Sequence, residues 1–210
     1  MRSFLLLFLL LGASHLLYAS HGRCGYIKIK RLGATRTVTI TVVMFTDAAN
    51  SSVLFGGDQD YLDFGDDSEP FLIPEQQNTF LPEFGGSILV GYASYEVQHT
   101  YTENGSYKVT YREPNRNGGI LNIENSVGTF IYFESGFTLD ETTVDYESPV
   151  FLNVPVFFSS SSSTFSGSVG AYDINNFTLY YSEITPCQTE IQMSPAMFAQ
   201  RTITLIHTMD

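Results

Sequence analysis

The chain has 210 residues, of which 43% are hydrophobic and 15% are charged, and its formal net charge is −12 at pH 7. A surface this acidic repels nucleic acid and anionic lipid, which excludes both as main partners, while it is compatible with the binding of divalent cations. Low charge, 17 Phe, 13 Tyr and no Trp, together with abundant Ser and Thr, are typical of an all-β secreted protein.

Residues 1–19 have the features of a secretory signal peptide. Arg2 supplies a short positive region, the apolar run from Phe4 to Leu11 follows it, and Ala19 offers a small residue for cleavage. The run is too short to span a bilayer, so a transmembrane anchor is the less favoured alternative. We therefore predict that the mature chain is secreted to the cell exterior and does not insert into the membrane.

Two strands are predicted at the start of the mature chain. Isoleucines alternate with lysines within residues 25–32, and valine, isoleucine and methionine alternate with threonine within residues 37–45. A period of two is the signature of a half-buried strand, and β-branched residues pack well on a pleated sheet. The intervening Gly33 and Ala34 predict a turn, so these strands form an opening hairpin.

The strongest strand signal lies within residues 106–112, where apolar and polar residues alternate strictly. One face of this predicted strand is apolar and the other is polar. The preceding Asn104 and Gly105 both tolerate positive φ, and they predict a turn. Tyr107 follows that glycine by two residues and suits a tyrosine corner, in which the hydroxyl bonds to upstream backbone.

The other predicted strands are separated by segments rich in Gly, Pro, Asn and Ser, which are typical of turns and loops. These strands are residues 87–98, 120–123, 129–133, 137–144, 149–158, 167–172 and 177–181. Residues 159–163 are five consecutive serines, which predict a low-complexity loop. From residue 187 to residue 210 the pattern decays, apart from an alternation at residues 202–206.

Two segments resemble parts of the polycystic kidney disease (PKD) domain. Residues 61–67, Y-L-D-F-G-D-D, are similar to its W-D-F-G-D-G segment, with Leu62 and Asp67 where Trp and Gly are usual. Residues 99–111 are similar to its H-x-Y-x-x-x-G-x-Y-x-V-x-L segment, with Tyr111 in the last apolar place. The resemblance implies an immunoglobulin-like antiparallel β-sandwich over residues 20–147.

Further segments resemble large surface proteins of gliding bacteria. Residues 112–127 are similar to the stretch that follows the PKD-like module in those proteins, and residues 20–22 are similar to their mature N-terminus. Residues 148–155 and 170–173 resemble the start of a cadherin-like module, although the P-D-G after its A-Y-D is replaced by Ile-Asn-Asn. This implies an incomplete second module over residues 148–186, and the decay of the pattern predicts an irregular tail over residues 187–210. The second unit either docks on the first domain or belongs to a truncated chain, and we favour truncation.

A cluster of carboxylates forms the candidate metal site. Calcium prefers several carboxylate oxygens on flexible loops. An EF-hand is excluded because Leu62 and Asp63 occupy the fifth and sixth positions of the loop that would begin at Asp58. The alternative interpretation, which is favoured, is that Asp63 and Asp66 hold turns by accepting bonds from backbone N–H groups. The candidate calcium ligands are Asp58, Asp60, Asp63, Asp66 and Asp67.

Several other residues are predicted to be structural. The resemblance implies that His99 bonds the turn at residues 63–65, and Gly105 and Tyr107 belong to the sandwich corner. Arg116 lies in a turn rich in Asn and Gly, where clamping backbone carbonyls is favoured over ligand binding. Cys24 and Cys187 could form a disulfide, to which the loop-entropy model assigns roughly 4–5 kcal/mol, but unpaired cysteines or pairing with another chain are almost equally favoured.

No catalytic motif is present in the sequence, since G-x-S-x-G, H-E-x-x-H and the P-loop pattern do not occur. We therefore predict a non-catalytic module of a gliding-motility-associated surface protein, with a structural or adhesive role and no cofactor except the candidate calcium. Its partners would be other surface proteins or extracellular glycans. The alternatives are a carbohydrate-binding module, in which exposed tyrosines stack on sugar rings, and an accessory domain of a secreted hydrolase.

Overall fold

The computed structural model describes residues 22–49, 54–57, 60–81, 89–114, 116–118, 120, 125–142, 145–156, 170–184 and 202–206. The predicted signal peptide at residues 1–19, the candidate ligand Asp58, the serine run at residues 159–163 and Cys187 lie outside these ranges. No helix in the described part of the chain is long and apolar enough to cross a membrane.

The described residues form strands connected by turns, with one short 3₁₀ helix at Ser126–Gly128. The strands are β1 (Gly22–Arg31), β2 (Thr37–Asp47), β3 (Tyr61–Asp63), β4 (Phe71–Leu72), β5 (Thr79–Leu81), β6 (Val90–Thr100), β7 (Gly105–Glu113), β8 (Ile131–Leu139), β9 (Val150–Phe151), β10 (Ala171–Tyr172), β11 (Tyr180–Ile184) and β12 (Thr202–Ile206).

Eight of these strands form two four-stranded sheets. The first sheet has the order β1-β2-β6-β5, and the second has the order β4-β3-β7-β8. All pairings within them are antiparallel. The inner faces of the two sheets share a single core, so the predicted all-β sandwich is confirmed. The predicted opening hairpin is also confirmed, because β1 pairs with β2 in antiparallel register.

The core between the sheets is aliphatic on the side of the first sheet and rich in aromatic rings on the side of the second. On β2, the predicted inner face of Val38, Ile40, Val42 and Met44 is fully buried. Burial of each such side chain contributes about 1.5–3 kcal/mol. The other large, fully enclosed side chains include Phe55, Leu62, Ile73, Tyr101 and Tyr111.

Strand β7 follows the predicted alternation. Val109 and Tyr111 are fully buried, whereas Ser106, Lys108 and Arg112 are exposed. Asn104 and Gly105 were predicted to form a turn because both tolerate positive φ, but neither adopts it. Gly105 is instead the first residue of β7 and pairs with Leu139 of β8, so the chain is already extended there.

The second face of β2 is also buried, which the alternation did not predict. Val43 and Phe45 are only 2% and 4% exposed. They lie in a smaller apolar cluster that includes Val90 and, from the segment after β8, Val154 and Val156. A strand covered on both faces reads as a continuous apolar run, and residues 42–45 are such a run.

Residues 145–156 run beside the free edge of β1. The backbone N–H of Arg31 donates to the carbonyl of Tyr146 at 2.8 Å, and that of Ser148 donates to the carbonyl of Ile29 at 2.8 Å. The N–H of Ile29 donates to Ser148 Oγ, also at 2.8 Å. The predicted boundary between residues 147 and 148 therefore falls within a segment that is bonded to the first sheet on both sides of that boundary.

Two further strand pairs follow, in which β9, β10 and β11 lie within residues 148–186, the predicted second module. Strand β9 pairs with β10, and β11 pairs with β12, both antiparallel. Strand β12 lies within residues 187–210, which were predicted to be an irregular tail, so that prediction does not hold for residues 202–206. The alternating Thr-Ile-Thr-Leu-Ile sequence is the local reason for its extended conformation.

Candidate functional site

The segment between β3 and β4 is a pair of turns held by aspartates. Asp63 Oδ1 accepts a hydrogen bond from the N–H of Gly65 at 2.8 Å. Asp66 Oδ1 accepts one from the N–H of Ser68 at 3.3 Å and another from its hydroxyl at 2.6 Å. These are Asx turns, the arrangement that the alternative interpretation of this cluster predicted.

Gly65 occupies a position in that turn that other residues do not tolerate well. Its φ is +74°, in the left-handed region that favours glycine. A Cβ atom at this position would also collide with the backbone carbonyl of Lys108 on β7. The turn between β3 and β4 thus packs directly against β7 because residue 65 has no side chain.

His99, near the end of β6, braces the same turn. Its Nε2 lies 2.7 Å from Asp66 Oδ2, and the two side chains are 17% and 13% exposed. Its ring stacks on Phe64 with 3.9 Å between centroids and 8° between planes. Partial burial acts to raise the pKa of Asp66, but hydrogen bonds from Ser68 and His99 outweigh it and lower the pKa below its ordinary value.

Tyr101 completes this contact, and the sequence analysis did not single it out. Its hydroxyl donates to the carbonyl of Phe64 at 2.8 Å, and its side chain is fully buried. Burial, followed by the nearby Asp66, raises the pKa of the Tyr101 hydroxyl, which stays a hydrogen-bond donor. The sequence could have pointed to Tyr101, because it lies two residues after His99 in the H-x-Y part of the motif.

Tyr107 makes the bond expected of a tyrosine corner. Its hydroxyl donates to the carbonyl of Glu103, four residues upstream, at 2.9 Å. Its ring also packs against that of Tyr101, with 4.0 Å between centroids. Gly105 has no steric role here, because a Cβ atom there would make only ordinary contacts with the Tyr107 ring.

Arg116 is buried and serves as a clamp on backbone carbonyls. Its Nη2 donates to the carbonyl of Phe130 at 2.9 Å, and its Nε donates to that of Thr129 at 3.4 Å. Burial lowers the pKa of the guanidinium below its ordinary value. The contact joins the turn after β7 to the start of β8.

The candidate calcium ligands occupy different environments in the structure. Asp63 and Asp66 bond turn backbone, Asp67 is exposed at positive φ, and Asp60 is only 3% exposed at the start of β3. Within the ranges described above, no three His, Cys, Asp or Glu side chains are grouped as a metal site requires. Asp58 lies outside those ranges, so calcium binding stays a prediction.

A buried tyrosine–carboxylate pair was missed by the sequence analysis. The hydroxyl of Tyr111 donates to Glu113 Oε2 at 2.8 Å, and both residues are fully buried. Burial, then the carboxylates of Glu113 and Asp60, raise the pKa of Tyr111 far above its ordinary value. The sequence pattern could have revealed this pair, because Glu113 follows Val109 and Tyr111 on the inward-facing positions of β7.

Cys24 carries a free thiol in the structure. Its Sγ donates to the carbonyl of Pro155 at 3.2 Å. Burial, opposed by the charge of Arg23, raises the pKa of the thiol to about 12. Since Cys187 is not among the described residues, a bridge between the two stays a prediction.

A shallow cavity of about 180 Å³ lies between the outer face of the first sheet and residues 151–154. Its walls are mainly apolar and aromatic, and none of the lining residues carries a charge. They are Tyr26, Phe45, Leu81, Tyr92, Phe151, Leu152, Asn153 and Val154.

Comparison of the chain with family models, with curated proteins and with solved structures finds no match.

Proposed function

We propose that this chain is a non-catalytic PKD-like module of immunoglobulin type, exported to the cell exterior, where it has a structural or adhesive role. The role we favour is within a gliding-motility-associated surface protein. Fold alone does not define function, so the proposal depends on what the motif residues do in the structure.

The strand order supports the immunoglobulin type. In that fold, strands A, B, E and D form one sheet and strands C, F and G form the other, which is extended next to C in some members. Assigning β1, β2, β6 and β5 to the first sheet and β3, β7 and β8 to the second reproduces this order, with β4 next to β3. The tyrosine-corner bond of Tyr107 lies at the start of β7, the strand equivalent to F.

The observation that carries the proposal is the joining of the two motif segments. His99 reaches Asp66 across 33 residues of sequence, and Tyr101 reaches Phe64 across 37 residues. Each polar group that the motifs single out bonds a turn or a carbonyl of this chain. A bracing role for these residues supports a structural or adhesive module.

Protease treatment of intact cells tests the proposed location. The chain, tagged at its C-terminus, is expressed in the source cells, and protease is added before or after permeabilisation. We expect cleavage in intact cells and a mature N-terminus close to Ser20 by mass spectrometry. Protection until the cells are permeabilised, or retention of residues 1–19, would overturn the proposal.

A further inference from the structure

The outer face of the second sheet carries a row of large side chains that are not part of the hydrophobic core. Tyr61 of β3 lies opposite Leu72 of β4 on one side and opposite Arg112 of β7 on the other. Arg112 in turn lies opposite Tyr132 of β8. We define these four residues, Leu72, Tyr61, Arg112 and Tyr132, as the outer row.

The outer row faces solvent. Tyr61 and Leu72 are each 45% exposed, Arg112 is exposed between the two tyrosines, and Tyr132 is partly buried. Neighbouring strands are about 4.8 Å apart, so the two tyrosines, which are two strands apart, stand roughly 10 Å apart. The hydroxyl of Tyr132 donates to Glu134 Oε2 at 3.1 Å, which restrains its ring. Two aromatic side chains on the outer face of one sheet can form a platform for a flat ligand.

The charges on this face balance, although the whole chain carries −12. The two cations are Lys108 and Arg112, and the two carboxylates are Asp63 and Glu134. Glu134 pairs with Lys108 at 3.4 Å, and Asp63 accepts the N–H of Gly65. The backbone of Arg112 pairs with β3 and β8, but within the described residues its side chain makes no hydrogen bond or ion pair, so its planar fork of donors is available.

We propose that the outer row binds an uncharged polysaccharide chain. The rings of Tyr61 and Tyr132 stack on sugar rings, and the guanidinium of Arg112 donates to neighbouring hydroxyls. An anionic polymer is disfavoured by the net charge of the chain, and a cationic one meets no net negative charge on this face. This inference rests on the adhesive role proposed above and names the ligand class for it.

Affinity electrophoresis of the mature chain tests the proposal. Native gels contain mixed-linkage β-glucan, galactomannan or hydroxyethylcellulose, and a parallel gel contains polygalacturonate. We expect at least one neutral polymer to retard the chain. We expect Y61A and R112A each to weaken that association about tenfold or more, a free-energy loss of at least about 1.4 kcal/mol. Added salt should change it little, because no charge is neutralised.

The matched control is Y172A, since Tyr172 is 48% exposed but lies on β10, away from the outer row. This variant should be retarded like the unchanged chain. Circular dichroism melts of all variants identify any that fail to fold. If Y61A is among them, Y61S replaces it. Absence of retardation by every neutral polymer, retardation that Y61A leaves unchanged, or retardation by polygalacturonate alone would each overturn the proposal.

The surface-location test and this binding test fail independently. A chain that is exposed on intact cells but binds no neutral polymer contradicts only the ligand assignment. A chain that is protected in intact cells contradicts the proposed function, whatever it binds in a gel.

Discussion

At the scale of single residues, His99 shows how one side chain joins two distant parts of the chain. It bonds Asp66 and stacks on Phe64 at the same time, so its removal leaves an acceptor and a ring face without their partner. The bond and the stack should be separable, because a phenyl ring preserves only the stack.

We expect H99A to lower the free energy of unfolding by about 1–3 kcal/mol, because it removes both contacts. H99F should lower the free energy of unfolding less than H99A does, since it retains a ring that stacks on Phe64. Urea unfolding measures both variants, with R36A at an exposed position as the control that changes little. Unchanged stability of H99A would show that the brace is not needed.

The acid sensitivity of the fold should depend on Asp66. Its pKa is lowered in the folded chain, so its stabilising contribution is present above the ordinary value of 3.8 and is lost as pH falls through the lower folded value. Urea unfolding measured from about pH 6 down to about pH 2 should show this loss. D66N should show a smaller loss over the acid range, and an identical pH profile for both proteins would contradict the assignment.

Gly65 and Gly33 form a matched pair of positions. Both have positive φ, +74° and +61°, but a Cβ atom at residue 33 would meet nothing within 4 Å. We expect G33A to cost about 1–2 kcal/mol for backbone strain alone. G65A should cost about 1–3 kcal/mol more, because it also displaces β7. Thermal and urea unfolding compare the two, and equal losses would argue against the collision.

At the scale of elements, Tyr101, directly after β6, and Tyr107 of β7 each tie a strand end to a turn. The bond from Tyr101 is enclosed, whereas the bond from Tyr107 is accessible to water. Water can replace a lost bond only at the accessible position, so the two bonds should differ in their contribution to stability.

Removal of one hydroxyl at a time tests this difference. Y101F leaves the carbonyl of Phe64 without its buried donor and should cost about 1–3 kcal/mol. Y107F should cost about 1 kcal/mol or less, because water can reach the carbonyl of Glu103. Chemical denaturation provides both values, and a larger loss for Y107F would reverse the assignment of the main brace.

The strands were predictable to different degrees. The alternation on β7 correctly placed Val109 and Tyr111 inside, and it also contained the information on Glu113. The same reasoning described only one face of β2, because a local period cannot reveal that Val43 and Phe45 are covered by Val156. Gly105 tolerates positive φ but does not adopt it, because glycine permits that conformation without requiring it.

At the scale of the whole molecule, the segment after β8 is part of the sandwich. Val156 is 9% exposed and lies more than a hundred residues from the Val43 that it covers. This packing connects residues 148–156 to the first sheet, although they were predicted to begin a second module.

V156D tests that connection by burying a charge beneath the first sheet. We expect a loss of several kcal/mol in the free energy of unfolding, since an unpaired buried charge is costly. V127D is the control, because Val127 is 53% exposed. If residues 148–186 fold independently of the sandwich, the main unfolding transition of V156D should not change.

The sequence alone determined the all-β class, the opening hairpin, the inner faces of β2 and β7 and the Asx turns at Asp63 and Asp66. These features depend on neighbours within a few residues, and that is the range over which alternation and turn chemistry act. Only the tertiary structure decided that His99 meets Asp66 and that the strands lie in their observed order. It also decided that Tyr61, Arg112 and Tyr132 share one outer face. Those contacts depend on strand register, which packing across the whole core sets and no local pattern contains.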